Sequence, residues 1–293
     1  MRPVRLATYA LFSVVLFVLS VSAARCYPPA TGVVVFVQGL YTYLDASGTQ
    51  DTLLEDHRFD EMKEAFRANG YTDDRLLDFS YAGGTVGSAG EWIPNAYPCT
   101  ATDRPTKDSV AVLEAMLRAY RERNPKAHFI LVGHSLGGSI SFLAGARDAT
   151  RPPGERLEIS AVITLDAPLN GVNADKKFVI DLIPCEKTFQ VGADLVADGV
   201  NPQIRDVRRY QAAVMAADGV RLATIGNTRD CLYNTLGCTG IALADDSETQ
   251  FIDNAAFVKR YDVSSAVLAS HDFIVSYGPA IQDAVTFAGR GDR

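Results

Sequence analysis

Two kinds of hydrophobic pattern alternate along this chain. Strand patterns occur in RLLDFSYAGG (75–84), AHFILVGHS (127–135), LEISAVITLDAP (157–168), VRLATIGN (220–227) and FVKRYDVSS (257–265), and most plainly in TGVVVFVQGL (31–40), a short, continuous apolar run rich in β-branched residues. Runs of this kind predict strands buried on both faces, as in a parallel sheet. Between them, apolar residues recur every three or four positions. Phe59, Met62 and Phe66 share a face in 55–70, which closes on Asn69-Gly70, and Val110, Leu113, Leu117 and Tyr120 do so in 106–124, which closes before Pro125. These stretches predict amphipathic helices with glycine or proline stops. GGSISFLAGARDA (137–149) and HDFIVSYGPAIQDAVTFAG (271–289) predict two more helices, the second closing the chain.

Strand and helix patterns alternate almost throughout, so the expected fold is α/β, with a doubly wound, mainly parallel sheet covered by helices on both faces. Two stretches break the rhythm. Residues 170–219 carry no strand pattern and read as a lid or cap inserted over the strand ends, with the apolar cluster FVIDLI (178–183) and a helix in PQIRDVRRYQAAVMAADG (202–219). Residues 85–105 read as a long irregular loop holding Trp92, the only tryptophan.

The first 24 residues differ in kind from the rest. A short basic segment, MRPVR, is followed by the uncharged run LATYALFSVVLFVLSVSAA (6–24), ending in small residues. This is the composition of a secretory signal peptide; an uncleaved membrane anchor is the rival reading. The expected organisation is a signal peptide over 1–24 and one domain over 25–293, in a secreted or extracytoplasmic protein. The five cysteines then face an oxidising compartment, where disulfides persist. Cys231 and Cys238 form the favoured local pair and Cys99 with Cys185 a second candidate, although five cysteines admit fifteen two-bridge patterns. No Cys/His spacing suggests a metal site. The net charge of −7 argues against a nucleic-acid partner.

The candidate chemistry sits in Gly133-His134-Ser135-Leu136-Gly137. The pattern G-x-S-x-G is weak by itself, but here an apolar strand precedes it and a helix follows. In that setting the serine occupies a sharp strand-to-helix turn, and the Leu136 N–H lies at the helix start, where it can stabilise an oxyanion. A phosphate-binding loop would need Gly-Lys-Ser/Thr, which is absent. A serine nucleophile needs a base. Of the four histidines, His57 and His128 precede the serine, and His134 adjoins it with a side chain expected to point away. His271 remains, between the last strand and the last helix. An acid should orient that imidazole from a strand end between Ser135 and His271. Asp230 is the first choice and Asp166 the second, with Asp253 and Asp262 behind them. The Leu40 N–H, after Gly39 in VFVQGLY, is the second oxyanion donor.

The order VVVFVQGL, LVGHSLGG, TLDAPLNG, IGNTRD and ASHDFI resembles the lipase and esterase branch of the α/β-hydrolases over about residues 31–290, and the serine turn with LDAPLNG particularly resembles triacylglycerol-lipase and deacylase-like members. One departure is Gln38, where many relatives carry histidine in a His-Gly pair. The resemblance implies hydrolysis of carboxylic esters through an acyl-enzyme on Ser135, without a cofactor, on an ester or lipid substrate. It also implies a lid, through which the protein could contact a lipid surface. Trp92, Phe178 and Leu182 are the candidate substrate-binding residues, with Tyr97 beside Trp92 at the mouth. Transfer of the acyl group to another alcohol, and a catalytically silent binding protein on the same fold, are the alternatives.

Overall fold

The apolar runs become a six-stranded sheet because helices cover both of its faces. The computed structural model describes residues 32–45, 50–52, 59–172, 190–228, 230–233, 241–244, 249–263 and 270–290. In chain order the elements are β1 (Val33–Val37), β2 (Thr42–Leu44), β3 (Gln50–Thr52), α1 (Asp60–Ala68), β4 (Leu76–Asp78), β5 (Gly84–Val86), β6 (Trp92–Pro94), α2 (Thr106–Arg123), β7 (Phe129–His134), α3 (Leu136–Asp148), β8 (Ile159–Leu165), α4 (Gln190–Val200), α5 (Ile204–Ala217), β9 (Arg221–Asn227), β10 (Asp230–Tyr233), β11 (Ile241–Ala244), β12 (Phe257–Tyr261), α6 (Ser270–Phe273) and α7 (Gly278–Gly289). The main sheet has the order β12-β9-β8-β7-β1-β4, and every neighbouring pair in it is parallel.

Within the central strands, alternate residues serve opposite faces. Val33, Val35 and Val37 of β1 join Leu131, Val162 and residues of α2 and α3 in one core. Val34 and Phe36 join Ile130, Val132, Ile163 and residues of α1 and α7 in the other. Both sets are apolar, so the period of two disappears from the sequence. The edge strand β12 is half-exposed, which is why its run FVKRY admits two cations.

Three expectations change. Residues 204–217, expected within the cap, form α5, which packs against α3 and β9 and contributes Ala212 and Met215 to the core. Parallel β8 and β9 need a crossover of a dozen residues or more, and α5 is its last limb. Before it, α4 lies over the start of α2, where the Asp194 Oδ2 accepts the Thr106 N–H at 2.7 Å. The loop 85–105 is ordered by a hairpin of β5 and β6 and by a 3-10 turn at Cys99–Thr102. The closing helix is broken: α6 is a single turn, and α7 begins only at Gly278, where Pro279 occupies the first turn that tolerates it. Cys99 is disulfide-bonded; the remaining four cysteines lie outside the described residues or their side chains do, and with them both expected pairings.

Candidate active site

Ser135 stands at the carboxyl end of β7, as the residue before α3, with φ 53° and ψ −127°. That left-handed backbone is costly for a residue with a side chain and marks a turn the surroundings enforce. The glycines two positions away let the turn close. A Cβ on Gly133 would meet the Gly137 carbonyl and come within 2.6 Å of Gly138 N. One on Gly137 would strike the Val37 carbonyl and approach the Gln38 oxygen to 2.5 Å. These are backbone atoms and cannot swing aside. Gly137→Ala is therefore expected to destabilise the protein by about 3 kcal/mol or more, read as a lowered denaturation midpoint; an unchanged midpoint would refute this packing account.

His271 lies in α6, 97% buried, with its Nε2 2.8 Å from Ser135 Oγ. The fold thus joins two residues 136 positions apart. Their surroundings include a residue whose side chain the sequence reading sent elsewhere. The His134 ring packs against that of His271, tilted by 44° with ring centroids 4.8 Å apart, and its Nε2 lies 2.8 Å from the His271 carbonyl oxygen. A carbonyl only accepts, so the His134 Nε2 carries the proton.

Asp166, the second choice for the acid, ends β8 fully buried with φ 43°. Its Oδ1 accepts the Asn227 N–H and its Oδ2 the Asn227 Nδ2–H, both at 2.6 Å. Asn227 also donates to the Ser270 carbonyl at 2.9 Å. Asp166 thereby ties the end of β8 to that of β9. Asp253 is exposed and pairs with Arg209 at 2.7 Å, and Asp262 is exposed as well. The side chain of Asp230 lies outside the described residues, but its strand, β10, packs against α6. His134, His271 and Asp272 bring potential metal-ligand atoms within 4.8 Å of one another. The His134 Nε2 is already committed as a donor, which disfavours a cation there.

The loop after β1 touches Ser135. A Cβ on Gly39 would lie 2.8 Å from Ser135 Cβ and 3.3 Å from its Oγ. The carbonyls flanking this loop are held by hydroxyls: Tyr81 Oη donates to Gln38 O at 2.8 Å and Thr42 Oγ1 to Gly39 O at 3.0 Å. Tyr97 Oη reaches Thr42 Oγ1 at 3.0 Å. Burial pushes the Tyr81 phenol well above its ordinary pKa, so it keeps its donor proton. The Tyr41 N–H is bound by Thr102 Oγ1 at 3.0 Å. A loop restrained at three peptides resists a flip that would point an oxygen at Ser135. Leu40 lies inside this restrained segment. Leu136, the first residue of α3, carries one of the N–H groups that a helix leaves without an intrahelical acceptor.

Solved structures share this architecture. The monoacylglycerol lipase of Paleococcus ferrophilus superposes with a TM-score of 0.52 at 11% identity, covering 90% of this chain and 96% of that one. A soluble variant of the monoglyceride lipase of Saccharomyces cerevisiae, solved with a substrate analogue, gives 0.51 at 12% identity over 90% and 87%. The chain has the α/β-hydrolase fold. A carboxyl esterase of Bacillus coagulans, in complex with glycerol, gives 0.50 at 12% identity over 90% and 91%. The family described as lipase (class 3) matches residues 95–198, which include the serine turn. Curated protein sequences gave no match.

On this α/β-hydrolase frame the other expected residues divide. Trp92 is a core residue: its indole donates to Asp78 O at 2.9 Å and its ring fills the space above Gly84. Its size and hydrophobicity serve the β5–β6 hairpin. Tyr97 supports the loop after β1 and lines an apolar groove with Tyr43, Leu44, Pro98 and Cys99. Phe178 and Leu182 lie outside the described residues. His134, Asn227, Tyr81 and Thr42 were not singled out as site residues. Their roles are hydrogen bonds across the fold, for which a single sequence carries no spacing signal.

Proposed function

We propose that this protein hydrolyses carboxylic esters through an acyl-enzyme on Ser135. The 2.8 Å approach of His271 Nε2 to Ser135 Oγ, at a turn forced to φ 53°, carries the reading. His271 takes the Ser135 proton as Oγ bonds the ester carbonyl carbon. The developing oxyanion is received by the Leu40 and Leu136 N–H groups. The alcohol leaves with the proton from Nε2, and water, deprotonated by the same nitrogen, releases the acid. Asp230 orients the imidazole and stabilises its cation; the packing of β10 on α6 supports this role. The lipases and esterase among the structural neighbours, and the class 3 lipase match, favour esters of glycerol or similar alcohols over amides. The test is a fluorophosphonate probe, expected to label Ser135 alone; labelling that persists in Ser135→Ala would refute it.

We further propose that residues 1–24 direct export and are removed. Among the described residues no helix is long and apolar enough to cross a membrane. N-terminal sequencing of the protein recovered outside the cytoplasm is expected to start near Arg25; a first residue of Met1 would overturn cleavage.

A further inference from the structure

We infer that Asn227 and His134 are positioning residues that hold the general base by its own backbone. The inference rests on the reading of Ser135 and His271 as nucleophile and base. α6 has only four residues. A helix that short cannot hold itself, because its first turn fixes several dihedrals for a single hydrogen bond. The placement of His271 must therefore come from contacts outside α6, and two of them grip consecutive carbonyls. Asn227 Nδ2 donates to Ser270 O at 2.9 Å, and His134 Nε2 donates to His271 O at 2.8 Å. Together they clamp the chain on either side of the His271 Cα.

Each grip is itself anchored in the sheet. Asn227 ends β9, and its amide uses both hydrogens, one on Ser270 O and one on Asp166 Oδ2. The Asp166 carboxylate orients that amide and also binds the Asn227 N–H, so an amide flip would turn an oxygen towards a carboxylate. His134 ends β7 and immediately precedes Ser135. One turn thus carries the nucleophile and, beside it, the donor that holds the base. The distance from Oγ to Nε2 is set from both ends of a short path. The two hydrogen bonds of the clamp reach only main-chain oxygens, those of Ser270 and His271, while the His134 ring packs against the imidazole.

The test compares His134→Phe, which keeps a ring but loses the donor, with His134→Gln, whose amide can donate from a similar position, and with Asn227→Ala. Turnover of a p-nitrophenyl ester is measured per active site, counted by fluorophosphonate titration, so that misfolded protein does not enter the rate. His134→Phe and Asn227→Ala are expected to lose about 10- to 100-fold in kcat, the scale of a small misplacement of a reacting group. KM should stay within about threefold, because binding is not the step affected. His134→Gln is expected to recover most of the loss. A wild-type kcat in His134→Phe, or a His134→Gln no better than His134→Phe, overturns the positioning role of His134. A wild-type kcat in Asn227→Ala overturns that of Asn227. His271→Ala is the control. If it keeps wild-type turnover, the reading of the base has failed; if it is inactive while His134→Phe and Asn227→Ala are normal, only this inference has.

Discussion

Ser135→Ala is expected to lower kcat for ester hydrolysis by about 10⁴- to 10⁶-fold, with the fold intact. Alanine removes the only atom that can form the acyl-enzyme, and the turn at φ 53° still accepts a Cβ where serine already has one. The hydroxyl bonds to His271 at a partly buried position, so the mutant should unfold at nearly the wild-type temperature. His271→Ala should lose activity on a similar scale. The double mutant should be little worse than either single one, because in the proposed mechanism the two side chains act as one unit. Steady-state kinetics and thermal denaturation of the three proteins check this. Hydrolysis within tenfold of wild type in Ser135→Ala would remove Ser135 from the chemistry.

The second large effect separates two aspartates. Asp230→Asn is expected to lower kcat by about 10²- to 10⁴-fold with little change in stability, since a neutral amide neither stabilises the imidazolium nor keeps the ring in the working tautomer. Asp166→Asn should behave differently. The Asp166 carboxylate accepts two short hydrogen bonds in a fully buried site. An amide can accept only one of them and turns its own donor towards the other, at a cost of about 2–4 kcal/mol of stability. Its turnover per titrated active site should fall far less than that of Asp230→Asn. Chemical denaturation paired with active-site titration distinguishes the two. A stable, inactive Asp166→Asn beside an active Asp230→Asn would reverse the assignment of the acid.

Much of the frame was legible in the chain. The uninterrupted runs at 33–37, 129–134, 159–165 and 221–227 became the buried parallel strands, because a strand covered on both faces needs apolar residues on both. The serine turn was legible for a local reason: its glycines serve contacts made within a few residues and with the adjacent strand. Chain order and the small number of histidines pointed to His271, which the fold brings within 2.8 Å of Ser135 Oγ. The placement of Trp92 was not legible: nothing in its polar stretch announces that its indole donates to Asp78 O in the core. α5 misled, because its amphipathic pattern is the same whether the helix covers a pocket or closes a crossover.

By itself, then, the sequence determined the alternation of strands and helices and the serine turn, and it left one histidine as the candidate partner of Ser135. Each of these depends on residues close in the chain, or on a residue type too scarce to leave alternatives. Only the tertiary structure decided that Asp166 ties β8 to β9, and that Asn227 and His134 bond the main-chain carbonyls of Ser270 and His271. It also decided that Tyr81 and Thr42 restrain the loop after β1. Apart from Thr42 to Gly39, these hydrogen bonds join groups far apart in the chain, the Asp166 carboxylate to the Asn227 N–H groups and the others to main-chain carbonyls. Their geometry exists only once six strand ends lie side by side, and no periodicity along the chain records it.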